Sequence, residues 1–367
     1  MRVDLVDPSA FTPPYDRALA AALAAEGLDV RLVTSRFTYG EVPPAEGFAV
    51  DERFYRLQPG APGSKLRLAA KLAQHVPQML AYRRAARQAD VVHFQWLDVQ
   101  PLDVHLLPFP RPTVLTAHDV LPREPRPGQL RAQRRLYRRV DAVVVHSEHG
   151  RKRLTDELGI DEGKVHVIHH GAFTHLAGYD PALPPELADD AAGDRPVVAL
   201  VGLLRPYKGL DVLLDAWRGL GAEPGTRLWV VGLPRMELPD RLPDGVRLVP
   251  RFVSERELAG VLRRADLVVL PYREIDQSGV LYAALGLGRP LLLSAVGGFP
   301  EVAETGAAEL VPPGDPGALR DALRRLIDDP RRRAQLAAAA ARAAANEYSW
   351  SEAARRHRAL YGMLTGA

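Results

Sequence analysis

The stretch that decides the fold is PVVALVGLLRPYKGLDVLLDAW, residues 196–217. Its first part is a short apolar run, typical of a buried strand in a parallel sheet. Gly202 ends the run, a loop carries Arg205 and Lys208, and helical periodicity begins after Gly209. Ligands bind at the carboxyl ends of strands in open α/β sheets, and a helix amino terminus there favours anions. We therefore predict a diphosphate site, the alternative being a surface loop with two solvated cations.

The composition narrows the class of protein. The 367 residues are 47% hydrophobic and 25% charged, which indicates a globular chain of about two domains. The formal net charge is only +3, and no basic tail or zinc pattern points to nucleic acid. Cysteine is absent, which excludes disulfides and thiolate chemistry and fits a reducing cytoplasm. Because the start lacks a signal-peptide core and no run has membrane-spanning length, we expect a cytoplasmic protein.

Strand and helix patterns alternate through both halves of the chain, which predicts an α/β fold of two doubly wound, Rossmann-like domains. The first domain is expected at residues 1–180 and the second at 196–346. Residues 181–195 lack periodicity and are rich in proline, alanine and acid, so they are predicted to be the linker. Residues 38–63 are predicted to be irregular.

Polar and glycine residues follow many of the predicted strands. Because carboxyl ends of parallel strands meet at one edge, two sheets that face each other would bring these residues to one interdomain cleft. Ten of the eleven histidines lie at or before His175, yet no pair has ligand spacing on a helix, so we predict no metal site. The polar and glycine residues that follow the predicted strands are Gln95, Trp96, His118, Asp119, Ser147, Gly171, Arg205, Lys208, Gly232, 271–279, Gly297 and Gly298.

Several segments, taken in order, resemble the family-four retaining glycosyltransferases with the GT-B fold. The most specific combination is RPYKG, then FVS followed by ADLVVLP, then GGFPEV. The other matching segments are DVVHF (90–94), TVLTAHD (113–119), KVHVIHHG (164–171) and RLWVVG (227–232). The resemblance implies a Leloir-type enzyme that uses a UDP- or GDP-sugar and needs no metal or other cofactor.

The resemblance assigns roles to individual residues. Arg205 and Lys208 hold the donor diphosphate, where fixed cations stabilise the charge that develops on the leaving group. His118 lies at the transferred hexose, and these three residues form the implied catalytic set. The nucleobase is read by the backbone at Phe252 and Val253. The remaining implied donor-binding residues are Gly202, Gly232, Ser278, Gly279, Val280, Gly297 and Gly298.

The chain departs from the family pattern at two places. The family usually has two glutamates spaced by seven residues; the ribose-binding one falls at Ala283, and the other near Ile275. Two alternatives follow from this loss: a nucleotide-sugar-binding protein without catalysis, and a GT-B nucleotide-sugar epimerase. In the loop that follows the first predicted strand, the glycine pair that is usual in the family is replaced by FTPPY, residues 11–15. Thr12 and Tyr15 of this loop are candidate acceptor contacts, together with Gln95 and Trp96 at the end of the DVVHF strand.

The family further implies a hydroxyl acceptor, either a small molecule, a glycan or a lipid-linked sugar, that enters from the first domain. The last helix, residues 347–367, is expected to return to that domain. Basic helices at 65–87 and 129–139 suit peripheral contact with an anionic membrane on its inner face, the alternative being an ordinary solvated helix face.

Overall fold

The computed structural model describes residues 1–366 except 39, 41, 62, 98, 108, 123, 124, 126, 192, 194 and 222–224. The chain divides into two compact units. One unit comprises Met1–Gly171 together with Trp350–Ala367, and the other comprises Ala172–Ser349. Each unit is built around one parallel sheet, which confirms the predicted Rossmann-like architecture of both halves.

The first unit contains a sheet in the order β3-β2-β1-β4-β5-β6-β7. Its central strands are buried, as apolar strands covered on both faces should be. The strands are β1 (Arg2–Asp7), β2 (Asp29–Ser35), β3 (Ala49–Phe54), β4 (Val91–Phe94), β5 (Thr113–Thr116), β6 (Ala142–Val145) and β7 (Val165–Val167). The helices before the unit boundary are α1 (Pro13–Ala25), α2 (Lys65–Ala85), α3 (Gln100–Leu106), α4 (Gln129–Arg139) and α5 (Glu148–Lys152).

The second unit contains a sheet in the order β10-β9-β8-β11-β12-β13. The chain leaves β8 for β9 on one side and later returns to β11 on the other, so the order reverses between β8 and β11. The strands are β8 (Val197–Val201), β9 (Arg227–Val231), β10 (Val246–Val249), β11 (Leu267–Leu270), β12 (Leu291–Ser294) and β13 (Ala308–Val311). The helices are α6 (Ala188–Ala191), α7 (Leu210–Leu220), α8 (Glu255–Arg264), α9 (Gly279–Gly286), α10 (Phe299–Glu304), α11 (Pro316–Asp328) and α12 (Pro330–Ala345).

The expectation of irregular structure throughout residues 38–63 was wrong, because β3 lies there. Its sequence, AVDERF, alternates weakly and leaves most of its side chains partly exposed. β3 is the edge strand and pairs with β2, so it needs no continuous apolar run. Asp51 and Arg53 form an ion pair on this edge strand, and such charges are common on sheet edges.

The boundary between the units lies after Gly171 and not at residues 181–195. Residues 192 and 194 of the expected linker lie outside the described residues. The described part packs on the second unit: Leu187 is fully buried in that unit's core. The Asp190 carboxylate lies 3.1 Å from Arg227 and 3.3 Å from Arg247. These contacts depend on single side chains, so they produce no periodic pattern in the sequence.

The last helix, α13 (Trp350–Thr365), belongs to the first unit and packs against α1. The Tyr361 hydroxyl lies 2.7 Å from His93 Nδ1, which ties the helix to β4. At the start of the helix, Trp350 contacts the Tyr15 ring edge-on, with centroids 5.1 Å apart. In the part of the chain that the structure describes, no helix combines the length and apolar character needed to cross a bilayer.

Gly171 provides the space for Trp350. A Cβ atom on Gly171 would lie 2.2 Å from a ring carbon of Trp350. We therefore expect Gly171→Ala to displace the start of α13 and to destabilise the first unit by about 1–3 kcal/mol, the usual cost of overpacking. Thermal unfolding monitored by tryptophan fluorescence measures the loss. The matched control is Gly178→Ala, where a new Cβ meets nothing within 4 Å; equal melting temperatures in the two variants would contradict this account.

Candidate functional site

In the second unit, three segments meet at the carboxyl ends of β8 and β11, where the strand order reverses. This is the position at which open α/β sheets bind ligands. Gly202 follows β8, Lys208 precedes α7, and Val280 lies in the first turn of α9. A Cβ atom on Gly202 would lie 2.9 Å from Lys208 Nζ and 3.0 Å from Val280 Cγ2. The Lys208 ammonium thus lies close to the amino end of α9, and both features favour an anion.

The loop that carries the two cations is held in place by the segment after β11. The Arg273 backbone N–H donates to the Tyr207 carbonyl at 2.7 Å. The Arg273 guanidinium binds both Asp211 carboxylate oxygens, at 2.5 and 2.7 Å, and donates to the Pro206 carbonyl at 3.2 Å. The position of Lys208 is therefore set by contacts between the segments after β8 and after β11, on both sides of the topological switch point, the place where the strand order reverses.

Lys208 is buried, with 8% of its surface exposed, and its ammonium lies 5.1 Å from the centre of the Tyr272 ring. Among the described residues, neither Lys208 nor Arg205 pairs with a carboxylate. Arg251 in the same unit differs, because it binds both Glu186 and Glu257. A buried ammonium without a counter-charge is costly. The geometry therefore suits an anionic ligand held by Lys208 and Arg205.

The other predicted donor residues lie on the same edge of the sheet. A Cβ atom on Gly232 would lie 1.9 Å from the Gly202 carbonyl oxygen, so only glycine allows these two loops to touch. A Cβ atom on Gly297 would likewise lie 1.9 Å from the Ile275 carbonyl oxygen. Gly298 precedes α10 and Ser278 precedes α9, while Gly279 begins α9. Phe252 and Val253 follow β10, and Phe252 is 63% exposed.

The position at which the resemblance implies a ribose-binding glutamate lies in the core. Ala283 belongs to α9 and is 2% exposed, and Ile275 is 7% exposed. In the segment between β11 and α9, Glu274 is exposed and Asp276 is buried. Position 283 therefore offers no carboxylate to a ribose.

In the first unit, His118 follows β5 and is surrounded by aromatic rings. Its imidazole stacks on Trp96, with centroids 5.0 Å apart and planes 18° apart. Tyr15 meets the imidazole edge-on at 4.7 Å and also contacts His170 at 4.7 Å. Tyr15 itself is only 2% exposed. Its ring therefore supports His118 and offers little surface to an acceptor.

The hydrogen bonds of His146 determine the tautomer of His118. His146 Nδ1 lies 2.9 Å from the Ile168 carbonyl, so Nδ1 carries the proton and Nε2 accepts. His118 Nδ1, 3.2 Å from that Nε2, must then be the donor. His118 Nε2 is left as a buried lone pair, with no hydrogen-bond partner among the described residues. Burial, followed by the neighbouring histidines, lowers the pKa of His118, and burial lowers the pKa of His146 to about 4.

The FTPPY loop orients Trp96. The Trp96 indole N–H donates to the Thr12 hydroxyl at 3.0 Å, and that hydroxyl donates to Asp16 Oδ1 at 3.4 Å. The Asp7 carboxylate accepts the backbone N–H groups of Phe11 at 2.5 Å and Thr12 at 3.2 Å. Burial, and then the charge of Asp7, raise the pKa of Asp16 well above its ordinary value. Asp16 is therefore suited to remain protonated beside Asp7.

Gln95 is the second buried polar side chain at this edge. It is fully buried, and neither its amide oxygen nor its amide nitrogen has a hydrogen-bond partner among the residues that the structure describes. An unsatisfied buried amide costs about 1–3 kcal/mol, and Gln95, like Tyr15, offers almost no exposed surface to an acceptor. The structure thus brings Gln95, Trp96, Thr12 and His118 together on adjacent strand ends.

Sequence reasoning missed several residues of this cluster. His146 and His170 were visible only as strand-end histidines, and Trp350 is distant in the chain. Asp16 was hidden inside an alanine-rich helix pattern. Over the described residues, no group of three or more histidine, aspartate or glutamate side chains is arranged to hold a metal ion.

Comparison with known proteins places the chain in a family. Residues 17–175 match the family model described as "Glycosyltransferase Family 4", and residues 195–329 match "Glycosyl transferases group 1". The D-inositol 3-phosphate glycosyltransferase of Kineococcus radiotolerans is 30% identical, over 93% of this chain and 87% of its own length. The GDP-mannose-dependent monoacylated alpha-(1-6)-phosphatidylinositol monomannoside mannosyltransferase of Corynebacterium glutamicum is 28% identical, over 61% of this chain and 62% of its own.

The solved structures agree with the fold. Sucrose-phosphate synthase from Thermosynechococcus elongatus superposes with a TM-score of 0.77 at 21% identity, over 100% of this chain and 99% of the other. These findings confirm the resemblance and the GT-B fold inferred from the sequence motifs. The chain belongs to glycosyltransferase family 4 and is a glycosyltransferase with the GT-B fold.

Proposed function

We propose that this glycosyltransferase moves a hexose from a UDP- or GDP-sugar to a hydroxyl acceptor, with retention of configuration and without a metal ion. The observation that carries the proposal is the buried Lys208 ammonium, which has no carboxylate partner among the described residues and lies at the switch point of the second sheet. Cleavage of the sugar–phosphate bond places negative charge on the leaving diphosphate. Lys208 and Arg205 stabilise that charge as it develops, which is the role a divalent cation has in other enzymes.

His118 acts at the sugar. Its Nε2 lone pair accepts a hydrogen bond from a sugar hydroxyl, and its lowered pKa keeps the ring neutral at physiological pH. The acceptor hydroxyl attacks from the face that the diphosphate leaves, and the departing phosphate takes the acceptor proton. This sequence of events retains the configuration and needs no protein nucleophile.

The test combines three measurements on the full-length protein. Donor binding is measured by calorimetry with UDP- and GDP-sugars, turnover is measured over a panel of acceptors with and without EDTA, and NMR gives the anomeric configuration of the product. We expect binding, turnover that EDTA leaves unchanged, and a retained anomer. An inverted product or a requirement for added metal would overturn the corresponding part of the proposal. Binding without turnover would favour the non-catalytic alternative, and sugar conversion without an acceptor would favour the epimerase.

The His146 contact gives a prediction about catalysis. In His146→Leu the His118 Nδ1–H loses its acceptor, so the ring is free to change tautomer and orientation. We expect kcat to fall about tenfold, in line with the loss of one such hydrogen bond, while the donor dissociation constant changes little. His146→Gln restores an acceptor and should recover part of kcat. Equal kcat values for the leucine and glutamine variants would show that the tautomer does not matter.

The acceptor is proposed to be a small polyol, a glycan or a lipid-linked sugar. The Kineococcus relative is named for inositol 3-phosphate and the Corynebacterium relative for an acylated phosphatidylinositol mannoside. Both of the molecules named there contain a hydroxyl-rich ring and a phosphate. We place the reaction in the cytoplasm, with the acceptor bound by the first unit through Trp96 and Thr12.

Peripheral contact with the inner membrane face is part of the proposal. Helix α2 exposes Leu66 at 61% and Leu80 at 43%, and α4 exposes Leu130 at 44%. Basic residues interleave with these leucines in both helices, the composition that favours anionic lipid surfaces. Cosedimentation with vesicles that contain phosphatidylglycerol, compared with pure phosphatidylcholine, tests it. Equal recovery in the two pellets would count against membrane contact.

A further inference from the structure

We propose that the first unit binds a phosphate-type anion of the acceptor in a cavity between the β2 and β3 ends and helix α2. The cavity has a volume of about 240 Å³. This inference rests on the proposed function, because it names the chemistry of the acceptor that the transferase uses. It assigns a binding role to Arg67 and Lys71, which the sequence motifs left without one.

The lining of the cavity has the composition of an anion site. Three cationic side chains contribute to it, and none of its described lining residues is an aspartate or a glutamate. Like charges that share a concave surface raise its potential and attract a counter-charge. The cations are Arg36, Arg67 and Lys71, and the hydroxyl groups that accompany them belong to Ser9, Ser35, Thr38, Tyr55 and Ser64.

Arg67 is the best placed of the three. It is half-buried, and its guanidinium donates to the Thr38 hydroxyl at 3.0 Å and to the Gln58 amide oxygen. Both partners are neutral, and over the described residues Arg67 forms no ion pair. A guanidinium has five N–H donors in a planar fork that matches two phosphate oxygens. The two neutral contacts hold the fork in position and leave its charge for a ligand.

Lys71 lies between the cavity and the aromatic residues that surround His118. Its ammonium donates to the Ser9 hydroxyl and lies 4.8 Å from the Tyr55 ring centre and 5.4 Å from that of Phe11. Phe11 in turn contacts Trp96, with ring centres 5.4 Å apart, and Trp96 stacks on His118. An acceptor whose anionic group binds Arg67 and Lys71 therefore has its ring on the Phe11 side, toward His118.

The rim of the cavity suits either source of the anion. Leu57 and Leu68 line it and are 70% and 51% exposed, and Leu66 nearby is 61% exposed. A phosphorylated polyol needs only the cations and hydroxyls. A lipid headgroup would also use the leucines, which would lie against acyl chains. The shared chemistry is a phosphate ester beside a hydroxyl-bearing ring.

The experiment uses the full-length protein and two kinds of probe. Calorimetry measures the binding of inositol 3-phosphate, inorganic phosphate and unphosphorylated inositol. Cosedimentation measures binding to phosphatidylcholine vesicles with and without phosphatidylinositol. The cavity variants are Arg67→Gln, Lys71→Gln and Arg36→Gln, of which Arg36 is the exposed one. Thermal unfolding checks that each variant is folded. Arg84→Gln is the matched control, because Arg84 is exposed on the same helix and is not part of the cavity lining.

We expect inositol 3-phosphate to bind better than inositol, and Arg67→Gln to weaken that binding about 10- to 100-fold, the usual effect of a charge-assisted hydrogen bond. Arg84→Gln should leave it unchanged. If the cavity variants lose the soluble phosphate, the anion belongs to a small molecule; if they lose only the vesicles, it belongs to a lipid headgroup. If the wild-type protein binds neither probe, or the cavity variants bind both as the control does, the proposal is overturned.

Donor binding separates this inference from the proposed function. The same variants should bind the UDP- or GDP-sugar as the wild-type protein does, because Arg67 and Lys71 lie in the first unit and Lys208 in the second. A wild-type protein that binds inositol 3-phosphate but no nucleotide sugar would refute the donor assignment and leave the anion site intact. A protein that binds the donor but no phosphate probe would refute the anion site and leave the donor assignment intact.

Discussion

Replacing Lys208 with methionine is expected to lower kcat by about 100- to 1,000-fold, the effect of removing one preorganised stabiliser of transition-state charge. Methionine keeps the length and apolar stem of lysine, so the packing against Tyr272 and beside Gly202 changes little. The lost quantity is the positive charge next to the α9 amino end. Donor binding should also weaken, by about tenfold or more, because the ground-state diphosphate already carries charge. Steady-state kinetics and calorimetry with the nucleotide sugar measure the two effects separately.

The matched control for this prediction is Arg218→Gln. Arg218 lies at the other end of α7, is exposed and pairs with Asp215 within the same helix, an arrangement worth at most about 1 kcal/mol. Arg205→Gln should show a smaller form of the Lys208 defect, since Arg205 is less buried than Lys208. Wild-type kinetics in Lys208→Met would remove the diphosphate assignment, whatever the acceptor is.

Acidification is expected to destabilise the first unit steeply between about pH 6.5 and pH 4. Buried histidines there are held neutral, and in the unfolded chain each would take up a proton near pH 6.5. In this window the unfolded state binds more protons than the folded one, so stability is present at higher pH and is lost as the pH falls. Burial is the main cause of the lowered pKa at each of His93, His118, His146, His170 and His357.

The size of this effect follows from the two histidines whose lowered pKa is about 4, His146 and His357. At pH 5 each costs the folded state about 2 kcal/mol, which is a large part of a typical stability of about 5–15 kcal/mol. Urea unfolding at a series of pH values measures the slope, and His357→Gln should reduce it by about one proton. A free energy of unfolding that stays constant from pH 7 to pH 5 would contradict the neutral histidine cluster.

Some features of the site could be predicted because they are local. The strand, the turn with Arg205 and Lys208, and the helix of residues 196–217 lie within one supersecondary unit, and their pattern is set by neighbours a few residues apart. The edge strand β3 escaped prediction for the opposite reason, since its pairing with β2 and not its own apolarity makes it a strand. The packing of residues 181–191 on the second unit escaped because it depends on Leu187 and Asp190 finding distant partners.

The role of His118 could be stated only in part. Its place after a strand was evident, and the family resemblance supplied the link to a sugar. The position of the proton on the His118 imidazole was not evident from the sequence. It depends on His146, on the Ile168 carbonyl and on the burial that keeps both imidazole rings neutral. The cation cavity was also hidden, since Arg36 follows β2 while Arg67 and Lys71 lie one turn apart on α2, a spacing that resembles an ordinary solvated helix face.

The amino-acid sequence by itself determined the parallel α/β architecture, the glycosyltransferase family and the loop that carries Arg205 and Lys208, because these depend on short-range patterns of apolar, glycine and basic residues. The tertiary structure alone decided three further points. It placed Trp350 against Gly171 and Tyr15, it left Lys208 buried without a carboxylate among the described residues, and it set the His118 tautomer. Each of these depends on contacts between residues far apart in the chain, whose burial and hydrogen bonding only the folded chain defines.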